Sequence, residues 1–128
     1  MLKHKDLTDK IIRAFYKVYN ELGHGFLERV YQNAMIVALK SEGLDVVPQK
    51  PIKVYYQEHL VGDYFADIMV NDTIIVELKA ATMLVEAHQN QLRNYLKASG
   101  MEIGLLMNFG EVPTFKRLTW FNNQMREN

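Results

Sequence analysis

Two acidic residues and a lysine lie within a stretch that otherwise has the composition of β-strands. Residues 64–79, YFADIMVNDTIIVELK, contain two runs of β-branched and aromatic residues around an Asn-Asp turn pair. Because side chains alternate along a strand, Glu77 and Lys79 emerge on one face and the apolar residues around them on the other. Charged groups are costly to bury without partners. Asp67, Glu77 and Lys79 therefore predict a site that collects a hard divalent cation and a phosphate.

The turn between the two strands decides whether Asp67 meets Glu77. A two-residue loop made of the Asn-Asp pair alone would place Asp67 opposite Val76, so that Asp67 would point away from Glu77. A three-residue loop, 71–73, or a bulge would place Asp67 across from Glu77, within reach of one ion. We predict the second arrangement, although the turn pair on its own favours the first.

An edge strand protected by charged residues is the alternative interpretation of the Glu-x-Lys triplet. Against it, the strand is apolar on both faces, since its other members are Ile74, Ile75, Val76 and Leu78. This composition suits an interior strand better than an edge.

Helix and strand patterns surround these two strands. The predicted helices cover residues 7–22, 27–41 and 85–98, and the other strand segments cover 45–47, 52–56, 103–107 and 114–121. Glycines follow each helix, at Gly23, Gly43 and Gly100, and a turn is predicted at 57–59. The order of elements favours an α/β fold, with helices flanking one mixed sheet.

Composition restricts the function classes. A chain of 128 residues is expected to form one domain, 1–128, and its zero formal net charge gives no indication of a nucleic-acid partner. The absence of cysteine excludes disulfides, thiolate zinc sites and cysteine nucleophiles. The N-terminus lacks the apolar core of a signal peptide, and no stretch is long enough to span a bilayer. We therefore expect a cytoplasmic protein with no membrane partner.

Polar residues on two of the helices are further candidates. Glu28 and Tyr31 are three residues apart and share a helical face, although Glu28 in a first turn also complements the helix dipole. His88, Gln91 and Tyr95 follow one stripe of the third helix, where they are either satisfied locally or turned toward a site.

Exposed aromatic side chains could stack on nucleic-acid bases. Tyr55, Tyr56, Tyr64 and Phe65 are the candidates. Aromatic residues in strands more often pack in the core or across strands, so packing is the expectation here.

Together the candidate residues resemble a known family, the GxxExxY proteins within the PD-(D/E)XK nuclease superfamily. Gly25, Glu28 and Tyr31 match the motif that names the family. The acids and lysine of the two strands match the superfamily signature, with Ala66 at the position where the superfamily's name has proline.

The resemblance extends over about residues 8–120. Gln91-x-x-x-Tyr95 resembles a pattern of helicase-associated exonuclease domains, and segment 104–110 (GLLMNFG) and Lys116-Arg117 look like family landmarks. The resemblance implies a restriction-endonuclease-like fold: a central mixed sheet flanked by helices, with an αβββαβ core and an extra N-terminal helix.

The same resemblance implies a divalent-metal-dependent nuclease whose partner is nucleic acid, DNA more than RNA. Mg²⁺ or Mn²⁺ would be held by Asp67, Glu77 and the backbone carbonyl of Leu78. Glu28 would be a further catalytic residue, holding a second metal or a metal-bound water.

Three other roles follow from the resemblance. Lys79 would position or help to deprotonate the attacking water, or stabilise the transition state. Gln91, Tyr95 and Tyr31 would position the substrate. A homodimer or a larger complex stays open as the assembly.

Other chemistries have weaker support. The four histidines are scattered, without the paired spacing of zinc hydrolases, and neither G-x-S-x-G nor a nucleotide-binding glycine loop occurs. The serious rival is a nuclease fold without catalysis, used for nucleic-acid binding or protein assembly. Neutral net charge favours that rival, and the complete Asp, Glu and Lys set favours the nuclease.

Overall fold

Helices lie on both faces of a mixed β-sheet in this computed structural model, which describes residues 3–121. In chain order the elements are α1 (Lys5–Leu22), α2 (Glu28–Ser41), β1 (Val46–Tyr56), β2 (His59–Val70), β3 (Ile74–Lys79), α3 (Glu86–Ser99), β4 (Ile103–Phe109) and β5 (Pro113–Thr119). The predicted α/β class is confirmed, because α2 to β4 form the αβββαβ core and α1 is the additional N-terminal helix. Strand β5 extends this core.

The sheet has the order β1-β2-β3-β4-β5. Strand β3 lies at its centre, antiparallel to β2 and parallel to β4, and α3 provides the crossover that a parallel pair requires. All six residues of β3 are at least partly buried, five of them fully. The prediction of an interior strand, rather than a protected edge, is therefore confirmed.

Each face of the sheet has its own core. Helices α1 and α2 bury Phe15, Tyr31 and Met35 against one face, and α3 buries Leu92 and Leu96 against the other. Close approach of α3 requires a glycine in β4, since a Cβ at position 104 would lie 2.8 Å from Leu92 Cδ1. The distance between α3 and the sheet is thus set by this contact.

The loop between β2 and β3 has three residues. Val70 pairs with Ile74, and the amide of Thr73 donates to the carbonyl of Val70 at 3.0 Å. Asn71 and Asp72 both adopt left-handed backbone conformations, with φ of 51° and 50°. The predicted three-residue loop is confirmed, and Thr73 is the additional residue that changes the register.

Strand β1 differs from its prediction in one respect. The segments 45–47 and 52–56 belong to one continuous strand, interrupted in conformation by Gln49, whose φ is 52°. Pro48 and Pro51 lie between the two predicted segments, and a proline has no amide hydrogen to donate to a neighbouring strand. The hairpin turn consists of Gln57 and Glu58, and His59, which was predicted to belong to the turn, already begins β2.

Within residues 3–121, no helix is long and apolar enough to cross a membrane. The last predicted strand, 114–121, is found at Pro113–Thr119, and the polar tail, 122–128, lies outside the described residues.

Candidate active site

Strands β2 and β3 separate at Asp67, and its carboxylate occupies the gap. Regular pairing of the two strands ends at Ile68 and Val76, one position before Asp67 would face Glu77. The amide of Leu78 then donates to Asp67 Oδ2 at 2.8 Å, so a side chain replaces the backbone acceptor that β2 no longer supplies. Asp67 is therefore fixed beside β3 at the point where the sheet opens.

Glu77 lies beside Asp67 and is almost completely buried. The residue is 4% exposed, and its Oε1 atom has no hydrogen-bond partner among the described residues. The pKa of Glu77 is raised to about 9, mainly by burial and then by a hydrogen bond and charge repulsion from Asp67, while Lys79 opposes the shift. The two carboxyl groups thus share one small region, and Glu77 holds its proton when no cation is present.

A chain of hydrogen bonds joins β3 to α3. Lys79 Nζ donates to Gln91 Oε1 at 3.3 Å, and Gln91 Nε2 donates to the hydroxyl of Tyr95 at 3.2 Å. Burial, followed by the charges of Glu77 and Asp67, raises the pKa of the Tyr95 hydroxyl. The structure therefore brings together five of the residues singled out in the sequence: Asp67, Glu77, Lys79, Gln91 and Tyr95.

Glu28 is not assembled with this group. It is exposed in the first turn of α2. Among residues 3–121, no three acidic or histidine side chains are close enough to share a metal ion. The expected convergence of three carboxylates is therefore not found, since Glu28 remains apart from Asp67 and Glu77.

Tyr31 packs inside the protein. Its side chain is fully buried and stacks on Phe109, with ring centroids 4.1 Å apart. Its hydroxyl donates to the carbonyl of Gly23 at 2.6 Å and accepts from the amide of Phe26 at 3.3 Å. This location is at odds with the predicted contact between Tyr31 and substrate, because the hydroxyl is used to hold the loop between α1 and α2.

A family model of the PD-(D/E)XK nuclease superfamily matches residues 5–118 of the chain. The chain belongs to this superfamily. Nucleases of the superfamily generally use divalent metal ions, and their activity implies an interaction with nucleic acid.

A solved structure supports the fold of this superfamily domain. The chain is similar to the protein in "Crystal structure of SSO0001", with a TM-score of 0.57 and 14% sequence identity. The likeness covers 73% of this chain and 50% of the other, so the chain spans about half the length of that protein. None of the curated proteins matches the chain significantly.

The residues of this superfamily domain fit a hard divalent cation. Glu77 Oε1 is a buried acceptor that no donor in the described part of the chain reaches, and Asp67 adds a second carboxylate beside it. The amide of Leu78 points toward Asp67, and the carbonyl of a strand residue points to the same side as its amide. All three donors are oxygens, which suit Mg²⁺ or Mn²⁺ rather than zinc.

Two glutamines that the sequence did not single out support Asp67. Gln32 Nε2 donates to the Asp67 carbonyl at 3.2 Å, and Gln49 Nε2 donates to Gln32 Oε1 at 3.2 Å. Gln49 lies opposite Asp67 in the β1–β2 pair, between the pairs formed by Pro48 and Lys50. Gln49 has a left-handed backbone conformation, which costs free energy for a non-glycine residue inside a strand. Such costs are typical of functional sites, so Gln49 is a candidate functional residue.

Asn108 is a further residue whose function the sequence did not reveal. It is 1% exposed, and its side-chain amide forms two hydrogen bonds with the backbone of Ala81, at 2.9 and 3.0 Å. These bonds fix the loop that leads from Lys79 to α3. Only its place in the segment 104–110 hinted at a special role, because an asparagine at the end of a buried strand is uncommon.

Proposed function

We propose that this domain is a divalent-metal-dependent nuclease that hydrolyses phosphodiester bonds, with DNA as the favoured substrate. The observation that carries the proposal is the buried carboxyl group of Glu77 beside Asp67 and Lys79, whose Oε1 atom has no hydrogen-bond partner among residues 3–121. A site without chemistry has no need to retain such a group, because burying an unpaired acid is costly. The Gly25, Glu28 and Tyr31 motif further supports a place among the GxxExxY proteins.

Asp67 and Glu77, with the Leu78 carbonyl, would hold Mg²⁺ or Mn²⁺. Two unit charges 4 Å apart repel by about 4 kcal/mol at an effective dielectric of about 20, so a cation offsets the cost of bringing two carboxylates together. The bound ion would activate water and offset charge that develops on the phosphate oxygens. Asp67 is pre-positioned for this role because the Leu78 amide holds one of its oxygens.

Lys79 and its partners would act on the substrate. The ammonium of Lys79 can orient a water molecule or bind a phosphate oxygen, and Gln91 holds it from the side of α3. The Tyr95 hydroxyl carries its proton at neutral pH, and burial moves its pKa further upward, so the hydroxyl can donate a hydrogen bond. These donors would stabilise the negative charge that increases on the phosphate during hydrolysis.

Glu28 would contribute to catalysis only once nucleic acid is bound. It lies one helical turn before Gln32, whose side chain contacts the Asp67 backbone. Its position on that stripe is compatible with binding a water near the site once nucleic acid is present. A role for Glu28 as a direct metal ligand has no support from its present location.

A cleavage panel tests the proposal. Linear, circular, single-stranded and double-stranded DNA and RNA would be incubated with Mg²⁺ or Mn²⁺. We expect cleavage by the wild-type protein and none by Lys79→Ala or Glu77→Gln, with melting temperatures showing that both variants are folded. Lys10→Ala and Glu21→Gln, which alter exposed residues of α1, are the matched controls and should retain activity. Full activity of Lys79→Ala or Glu77→Gln would refute the assignment.

A non-catalytic module for nucleic-acid binding or assembly is the second candidate. The zero formal net charge of the chain favours it, since phosphate binding is largely electrostatic. Calorimetric titration with Mn²⁺ separates the two functions. Saturable binding that is lost in Asp67→Asn supports the nuclease, whereas no binding to the wild-type protein supports the module.

A further inference from the structure

A groove of about 880 Å³ lies between α3 and the β1–β2 hairpin. Its size is in the range of sites that take small molecules or short segments of a polymer. Its lining includes Lys53, Tyr55, Tyr64, Gln91, Tyr95 and Lys97.

The groove is continuous with the candidate active site. Gln91 and Tyr95 line it and also form the hydrogen-bond chain that ends at Lys79. The ring of Tyr64 lies 5.8 Å from the ring of Tyr95, tilted by 40°. A polymer that lies along the groove would therefore pass beside the two carboxyl groups.

The lining has the charge that a phosphate backbone requires. Lys53 and Lys97 are its charged residues, and none of the described residues that line it is acidic. Lys53 has an ion pair with Asp63 at 3.5 Å, but both side chains are about half exposed, so the pair is weak. Three side-chain amides add donors and acceptors that bind phosphate, sugar or base edges.

Aromatic rings are exposed along this groove, contrary to the expected packing. Tyr55 is 61% exposed and Tyr64 is 49% exposed, although both lie in strands. Exposed tyrosines beside lysines form the combination with which proteins bind single strands, through stacking on bases and attraction of phosphates. In a duplex the bases are already stacked on each other, so their faces are not accessible to these rings.

We propose that this groove binds a single strand of nucleic acid and leads it to the carboxylates of the active site. This inference rests on the proposed nuclease function and narrows its substrate to unpaired strands or strand ends. Tyr64 and Tyr55 stack on bases, and Lys53 and Lys97 contact phosphates. The π-faces and phosphates used here are common to DNA and RNA.

Fluorescence anisotropy in EDTA tests binding without cleavage. Labelled oligo-dT, oligo-rU and a duplex would be titrated with the full chain. We expect either single strand to bind more tightly than the duplex. Tyr64→Ala should weaken single-strand binding about tenfold, or by about 1.4 kcal/mol, because the ring no longer stacks on a base. Tyr64→Phe, which keeps the ring, should bind as the wild type does.

Matched variants separate groove contacts from general effects. Tyr55→Ala should weaken binding. Tyr56→Ala should not, because Tyr56 is 64% exposed beside Tyr55 but does not line the groove. Lys53→Ala and Lys97→Ala should each reduce the slope of log K against log salt by about 0.7, and Lys10→Ala should not.

The outcomes distinguish this inference from the nuclease proposal. Binding of single strands that depends on Tyr64 and Tyr55 supports the groove, even if the cleavage panel shows no activity and the nuclease proposal fails. If the wild type cleaves nucleic acid and Tyr64→Ala and Tyr55→Ala bind single strands as tightly as the wild type, the proposal of single-strand binding in the groove is wrong. The nuclease proposal is then unaffected. Tighter binding of the duplex than of either single strand overturns the groove as well.

Discussion

Glu77 is an acid that the fold keeps protonated. Its pKa is raised to about 9, first by burial and then by Asp67. The folded state therefore binds one more proton than the unfolded state between about pH 4.5, the ordinary value, and about pH 9. It follows that Glu77 lowers the stability of the metal-free protein progressively as the pH rises through this range.

Glu77→Gln should remove this pH dependence. In EDTA at about pH 8, we expect the variant to melt several degrees above the wild type, because the amide has no proton to lose. The difference should nearly vanish at about pH 5. Mg²⁺ or Mn²⁺ should raise the melting temperature of the wild type but not that of the variant. Equal melting temperatures at both pH values would contradict the assigned role of Glu77.

The role of Tyr31 can also be tested with a single substitution, because its hydroxyl holds the loop between α1 and α2. Tyr31→Phe keeps the stacking on Phe109 and removes the hydrogen bonds to Gly23 and Phe26. We expect a loss of about 1 kcal/mol in urea unfolding. The KM for nucleic acid should not change at a temperature where both proteins are folded. A raised KM would support the prediction that Tyr31 contacts the substrate.

The elements themselves follow well from sequence patterns. The glycines that end the helices and the apolar runs of β3 and β4 are local signals, so they can be recognised without the structure. The three-residue loop was predicted against the turn preference because it brings Asp67 to Glu77. The separation of β2 from β3 has no such local signal, and the glutamines that contact Asp67 there, Gln32 directly and Gln49 through Gln32, are distant from it in sequence.

The left-handed conformation of Gln49 separates stability from activity. Gln49→Ala and Gln49→Gly both remove the amide that binds Gln32, but only alanine keeps a Cβ at a φ of 52°. We expect the glycine variant to be about 1 kcal/mol more stable than the alanine variant. Both should lose cleavage activity to a similar extent, because Gln32 is then free to leave Asp67.

Chemical denaturation and cleavage rates measure these two effects. If the glycine variant cleaves as fast as the wild type, then Gln49 shapes the strand and does not support Asp67. If the alanine variant is the more stable of the two, then the left-handed conformation is not retained in the variants.

The assembly of the site depends on how closely α3 approaches the sheet. Glu77 and Lys79 belong to β3, whereas Gln91 and Tyr95 belong to α3. The residues of both elements were recognised in the sequence because their types and spacing form a known pattern. Glu28 was included for the same reason, but its motif describes spacing along the chain and gives no information on how far α2 lies from Asp67.

Gly104→Ala tests this dependence on helix position. The added methyl would lie 2.8 Å from Leu92 Cδ1, and Leu92 is fully buried, so α3 has to move. We expect a loss of about 1–3 kcal/mol in stability and slower cleavage. The double variant with Leu92→Ala should lose less stability than the sum of the two single variants. Additive losses would show that the two sites are not in contact.

The charge of the whole chain conceals the groove. Lys53 and Lys97 are balanced by acids in the total, so the zero net charge, which favours the non-catalytic module, gives no sign of the groove. Local charge depends on which residues the fold brings together, and strands β1 and β2 contribute to this groove from positions far from α3 in sequence.

The bond from the Leu78 amide gives Asp67 a structural task in the sheet, beside the task in hydrolysis that we propose for it. Asparagine can do the first without the second, because its carbonyl oxygen accepts the same bond, whereas alanine can do neither. A descendant of this chain that had abandoned hydrolysis would thus be expected to carry asparagine here, and an inactive protein for crystallising bound substrate is best made with the same replacement.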